Sequence, residues 1–483
     1  MIELLLAVDL GFVNFIISYM LSSLGFFAVS CAIVKPQRQQ LLQVFSASII
    51  FGPFLLALML YHELMWLPGH EGVVYILITS FLLLATLVVF RLHPNYITDL
   101  AREIRDKVRS FSKLDRLLLG LLALVLLSLF ALAISLPLYG HDIAEHSKSA
   151  AIIAQAKDFS VYPLHGYKGV FTQAKHPPTV IGLWVWQYFF YLRDSYDQTL
   201  LGKLISPSVA LLTCLALIGF AEKRRQTLAI LGSIVLLCTP LMYTNVASSH
   251  VDINRGATYL GAALWLLLCL RSPSWPLAIM TGLAIGLAAR VHLSSLVIGP
   301  LLATSYLAIA VFRKGFKWSA LKSDVAICSL MALAALAVCG FDYVRMLYIY
   351  GKNVVSTEEG FSVVANSGIN YRAYVEIVRN IHGIPQKIFN GLLKGFTDIE
   401  LMGLTYWLAL VGVLVLAIRR RFDTQLAVFM LQFLFFLILL ALAVLFSFDL
   451  LLKNSRYYLM FQPFVAVLAC AALEPLYEKN TEI

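Results

Sequence analysis

Long apolar runs separated by short polar or basic turns recur along the whole chain. Runs of roughly 17 to 25 apolar residues are long enough to cross a hydrocarbon core of ~30 Å. The pattern predicts crossing helices at 8–34, 41–61, 73–90, 117–137, 198–220, 227–243, 257–270, 276–290, 292–312, 324–341, 402–418, 424–447 and 459–474. A helix satisfies its own backbone polar groups, which a strand in lipid cannot do unless its sheet closes. The expected fold is therefore an all-α polytopic membrane protein of about thirteen transmembrane helices. The first run has no basic flank before it and no small-residue cleavage site, so it reads as a span rather than a signal peptide.

One further apolar piece, TVIGLWVWQYFFYL at 179–192, is only 14 residues long. If it crossed, the cluster Lys223, Arg224 and Arg225 would move to the acidic side and Asp252 to the basic side. The rule that cytoplasmic turns carry Lys and Arg disfavours that arrangement. The piece is expected to be re-entrant or interfacial, a setting that suits Pro177, Pro178, Trp184 and Trp186.

Composition agrees with the pattern. The 483 residues are 60% hydrophobic and 13% charged, which excludes a soluble globular class. The net charge of +10 sits in short connections at 35–38, 91–116, 223–225, 313–322 and 419–421. All five are expected on one side, leaving the N-terminus outside and the C-terminus inside. Basic residues spread along membrane flanks form no single patch, so nucleic acid is not an expected partner. The seven cysteines fall in apolar runs with no CxxC pair, which points to buried thiols and to neither disulfides nor zinc.

The chain divides into an N-terminal three-helix membrane unit, 1–116, that ends in a basic amphipathic linker expected to lie on the cytoplasmic surface. A core at 117–341 contains the first outer loop, 138–178. An outer segment or lid follows at 342–401, and C-terminal membrane helices occupy 402–483. Long outer-face loops of this kind are usually functional.

Candidate chemistry collects on the face opposite the basic turns. LPLYGHDIAEHSKSA, 136–150, places Asp142, Glu145, His141 and His146 just beyond an apolar run. As a helix it would put Asp142, Glu145 and His146 on one face. Such a set suits acid/base work or a metal; its plainer reading is an acidic first helical turn. Lys168, Lys175 and His176 follow in the same loop, where snorkelling at the interface is the plainer reading. TNVASSHVDINRG supplies Asp252 with His250 and Arg255. GLAIGLAAR is a Gly-spaced helix of the kind that packs closely, ending at Arg290 and His292. Arg345, Lys453 and Arg456 complete the set. Charged groups so near membrane depth line cavities or pair with one another.

From about residue 117 on, the chain resembles the GT-C superfamily of membrane glycosyltransferases, which includes protein O-mannosyltransferases and lipid A aminoarabinose transferases. The resemblance rests on five pieces in the family's order: GHDIAEHSKSA, KHPPTVIGLWVW, TPLMYTNVASSHVDINRGATYLGAALW, GLAIGLAARVHLSSLVIGPLL and SRYYLMFQPFVAVLAC. It departs from the family in its D-x-x-E acid pattern, in Arg290 or His292 where a Lys often stands, and in the additional residues 1–116.

The resemblance implies transfer of a sugar from a polyprenyl-phosphate donor to a glycan, lipid or protein acceptor at the outer, periplasmic or lumenal, membrane face. Asp142 is then the expected base, and Glu145 or Asp252 would position the acceptor. Arg456, Arg290, Lys175, His176 and Tyr457 are the expected ligands of the donor phosphate. A divalent cation, Mg2+ or Mn2+, would rest on Asp142, Glu145 and Asp252, with His146 beside them. The Phe- and Leu-rich run 425–446 is a candidate wall for the donor's lipid tail. The expected location is a bacterial inner membrane. Two other readings stay open: a lipid-linked glycan flippase or transporter, and a polysaccharide polymerase or ligase.

Overall fold

A computed structural model of the chain describes residues 2–136, 141–162, 177–190, 200–350, 402–419, 423–445 and 455–473. The regular elements among them are all helical. They are α1 (Ile2–Val34), α2 (Leu41–Ile49), α3 (Gly52–Trp66), α4 (Glu71–Leu92), α5 (Asn95–Arg109) and α6 (Lys113–Ser135). Then come α7 (His141–Ala156), α8 (Thr179–Phe190), α9 (Leu200–Lys203), α10 (Ile205–Phe220), α11 (Gln226–Cys238) and α12 (Pro240–Ala247). α13 (Asp252–Arg271), α14 (Trp275–Ala289), α15 (Ile298–Lys314), α16 (Trp318–Tyr350), α17 (Thr405–Arg419), α18 (Thr424–Leu445) and α19 (Gln462–Ala471) complete the set.

Eight of these helical segments are long and apolar enough to cross a membrane, or up to ten if each of two bent pairs is one span. Three more apolar helices, Trp275–Ala289, Thr405–Arg419 and Tyr458–Ala471, are shorter. Large apolar side chains point outward from them, among them Leu84, Leu124, Leu127 and Leu333. Exposed apolar surface on this scale is a face for lipid, and the chain is a polytopic helical membrane protein.

Four expected spans take a different form. The run at 41–61 breaks into α2 and α3, bent by 51°. Pro53 near the start of α3 lacks a donor for the preceding turn, which is a common cause of such kinks. The run at 227–243 breaks into α11 and α12 with a bend of 72°, again at a proline, Pro240. The crossing expected at 257–270 begins earlier, because α13 takes in Asp252 and Arg255. The crossing expected at 324–341 runs on to Tyr350 in α16, so residues 342–350 continue the helix instead of opening an outer segment. Residues 351–401 lie outside the described residues.

α8 corresponds to the short apolar piece at 179–192. It packs against α3 and α7, and Trp184 and Trp186 are fully buried. The Trp186 indole donates to Ser18 Oγ of α1 (3.1 Å). The two tryptophans therefore serve the protein interior and not a lipid interface.

The basic turns meet at one end of the bundle. Arg225 pairs with Asp423 (3.3 Å), Arg271 with Glu222 (2.9 Å) and Arg38 with Asp99 of α5 (3.4 Å). Arg313 donates to Leu270 O (2.9 Å), near the C-terminus of α13, where a cation complements the helix dipole. α5 is held there from both sides. Glu103 accepts from Leu42 N (2.7 Å) at the start of α2, and the Lys107 ammonium donates to Gly219 O (3.1 Å) and Ala221 O at the end of α10. Ser112 and Asp115 form a reciprocal cap that starts α6.

α13 is the axis of the bundle: every residue of its apolar window is buried inside the protein. It packs on α2, α10, α14, α15, α18 and α19. The N-terminal helices thus share one core with the rest of the chain.

Candidate active site

Two charged clusters lie at the end of the bundle opposite the basic turns. The first is built on the start of α13. Asp252 occupies its first turn, where backbone N–H groups and the helix dipole favour a carboxylate. Its side chain is completely buried. Oδ1 accepts from Arg255 Nη1 (3.0 Å), and Oδ2 accepts from Asn245 Nδ2 (2.9 Å) and Arg456 Nε (3.0 Å). Three residues separate Asp252 from Arg255, so one helical turn sets the pair. Arg255 is buried and also reaches Met460 Sδ (3.5 Å). The Arg456 side chain is 26% exposed, the one member of the cluster that reaches the surface.

The turn before α13 is fixed by α9 and α10. Ser249 has φ +63°, a left-handed conformation that a serine holds only when its surroundings impose it. Its hydroxyl donates to Lys203 O (2.7 Å), and Ser206 donates to His250 O (3.0 Å). Lys203 Nζ in turn donates to Leu136 O (2.8 Å) at the end of α6. One residue therefore ties the segment that leads to α7 to the turn that leads to α13.

α7 carries Asp142 and Glu145. Its backbone is helical from His141 to Ala156; the side chains of 141–145 lie outside the described residues. α7 packs against α8, and Ser147 and Tyr188 share a hydrogen bond (2.8 Å) across that contact.

Beside Arg255 is a cavity of about 120 Å³. Its lining includes Ser294 and Val297 before α15, Phe436 and Leu440 of α18, and Tyr458. The cavity is apolar and lies next to Arg255.

The second cluster joins α3, α14 and α16. Gly282 and Gly286 stand where an added Cβ would lie 2.4 Å from Met331 O and 2.7 Å from Ala335 O, so only glycine allows α14 and α16 to approach this closely. That approach brings Arg290 to Asp342 (2.7 Å), with both side chains buried. Arg290 also donates to Val338 O (3.1 Å) and stands over the Tyr61 ring (5.1 Å). Arg345 donates to Tyr61 Oη (3.5 Å) and to the carbonyls of Ser160 (3.2 Å) and Tyr162, which follow α7.

The structure thus brings Asp252 and Arg456 together and places Arg290 in a different cluster, partnered by a carboxylate. Lys168, Lys175 and His176, and the side chain of Tyr457, lie outside the described residues. Among the described residues no three His, Cys, Asp or Glu side chains come together as a metal site. Sequence reasoning missed Asp342, Asn245 and Lys203. Asp342 was legible as a carboxylate one turn from Val338 in an apolar run; the other two become partners only through tertiary contacts. The chain matches no family model, no curated protein and no solved structure in these comparisons.

Proposed function

We propose that the protein is a glycosyltransferase that moves a sugar from a polyprenyl-phosphate-linked donor to an acceptor hydroxyl, at the membrane face opposite the basic turns. Arg456 carries the reading. Its guanidinium is oriented by a buried carboxylate and reaches the surface, and the neighbouring Arg255 borders an apolar cavity. A lipid phosphate needs this combination: a fork-shaped cation for its oxygens and an apolar space for its tail. The motif order and the thirteen-crossing topology, which counts each bent pair and each short apolar helix as a span, belong to the same reading. So does placement in a bacterial inner membrane.

In the proposed reaction the Asp142 carboxylate takes the proton of the acceptor hydroxyl as its oxygen bonds to the anomeric carbon. The bond from that carbon to the phosphate oxygen breaks, and the polyprenyl phosphate leaves with its added charge at Arg456. Glu145 would orient the acceptor. Asp252, with both oxygens taken up by two arginines and an amide, orients Arg456 and is poorly suited to hold a cation. A Mg2+ or Mn2+ ion would therefore rest on Asp142, Glu145 and His146, where it would supply charge for the leaving phosphate. Arg290, paired with Asp342, is assigned to the scaffold.

The test is turnover by the full chain in vesicles that carry polyprenyl-phosphate sugars, read as release of polyprenyl phosphate. Asp142→Asn should abolish release in a protein that remains folded. Near-normal turnover would remove the base assignment. A lipid-linked glycan flippase is the second reading, favoured by the buried Arg290–Asp342 pair, since such pairs also mark transport paths. Movement of the donor across the vesicle without release of polyprenyl phosphate would decide for it.

A further inference from the structure

A second, larger cavity lies at the other end of the molecule, outside the site just described. It measures about 520 Å³, within the range of about 300–1,000 Å³ usual for ligand pockets. Its walls come from α1, α2, α5, α6 and α10, and they are almost wholly apolar.

Three features define what fits it. First, the lining opens sideways onto the apolar surface: Ile16, Met20, Leu215 and Val108 line the cavity and are also exposed. Second, its length matches one leaflet. The lining runs from Ser208 to Gly219 on α10 and from Phe15 to Leu24 on α1. At about 1.5 Å per residue that is about 16 Å and about 13 Å, roughly half of a ~30 Å hydrocarbon core. Third, the end at Gly219 holds one charged group, Lys107 of α5. Its ammonium donates to Gly219 O and Ala221 O, and burial pushes its pKa down to about 8. A desolvated ammonium gains from a nearby anion. Arg109 on the same helix is exposed and adds a second cation near this end.

We propose that this cavity is a binding site for an anionic phospholipid of the leaflet at the basic end, with one acyl chain in the cleft and the phosphate at Lys107. A chain of one leaflet's depth fits the measured length, and the charge at the headgroup end is complementary. The same lipid bridges α1 and α2 to α10, so it joins the N-terminal helices to the rest of the bundle.

The experiment is native mass spectrometry of the delipidated full chain, titrated separately with dioleoyl phosphatidylglycerol and dioleoyl phosphatidylcholine. The expected result is one tightly held phosphatidylglycerol per chain and weaker binding of phosphatidylcholine. Lys107→Gln should weaken phosphatidylglycerol about fivefold, the effect of one basic side chain at an anionic surface. Leu215→Trp and Ile16→Trp each fill the cleft from its exposed side, and should abolish the tight adduct with the melting temperature of the lipid-free protein unchanged. Equal binding of the two lipids, no adduct, a dimer in place of the adduct, or an adduct that survives in a folded tryptophan variant would each overturn the proposal.

Discussion

The pair formed by Arg290 and Asp342 permits a quantitative prediction that needs no knowledge of the substrate. Their side chains are 0% and 1% exposed and lie 2.7 Å apart, on helices that touch through Gly282 and Gly286. Asp342→Leu leaves a guanidinium in the interior with only neutral partners: Val338 O (3.1 Å), His62 Nε2 (3.4 Å), Thr179 Oγ1 (3.5 Å) and the Tyr61 ring. Arg290→Met leaves a carboxylate with Tyr61 as its nearby donor. Breaking a buried pair from one side costs about 3–5 kcal/mol, or roughly two to three and a half decades in the unfolding constant. Replacing both partners with apolar residues of similar volume is often neutral. The double variant Arg290→Met with Asp342→Leu should therefore lie closer to the wild type than either single variant. The measurement is equilibrium unfolding in mixed micelles, followed by tryptophan fluorescence, for the four proteins of the cycle. If the double variant loses the sum of the two single losses, the charges are not coupled and the packing argument fails.

Gly286→Leu forces side-chain atoms into Ala335 O and should cost about 1–3 kcal/mol, read as a lower melting temperature, while Gly120→Leu, which meets nothing within 4 Å, should be tolerated. Arg456→Lys keeps the charge but loses the fork, so retention of polyprenyl monophosphate measured by native mass spectrometry should fall, with the fold intact by circular dichroism; unchanged retention would remove Arg456 from the donor site. Cysteines at Ser160, which precedes α8, and at Arg224, 64% exposed, should label with an impermeant reagent from opposite sides of a sealed vesicle, and labelling from the same side would reverse the placement of α8 as a non-crossing helix. Lys203→Met removes the bond to Leu136 O, and should raise hydrogen exchange at the ends of α6 and α12 together.

The sequence by itself determined the solvent the protein lives in and most of its helices. Apolar runs of fixed length and basic turns act locally, because a backbone in lipid must pair with itself wherever it lies. The gathering of the basic turns at one end was legible from the charge rule for membrane turns, and the close packing of the Gly-spaced helix at 276–290 from its small residues. The tertiary structure decided the partnerships. Arg290 reads as a charge at membrane depth with no named partner until α16 runs past its expected end and presents Asp342. Asp252 reads as a loop acid until α13 begins early and buries it against Arg255, Asn245 and Arg456. Both changes have one cause. A charge at membrane depth is tolerable only beside its counter-charge, and those partners stand up to 204 residues apart in the chain. No local pattern records them. The residues 1–116 show the same limit: their sequence suggests an appended unit, whereas their packing on α8, α10 and α13 makes them part of the bundle that holds the polar end in place.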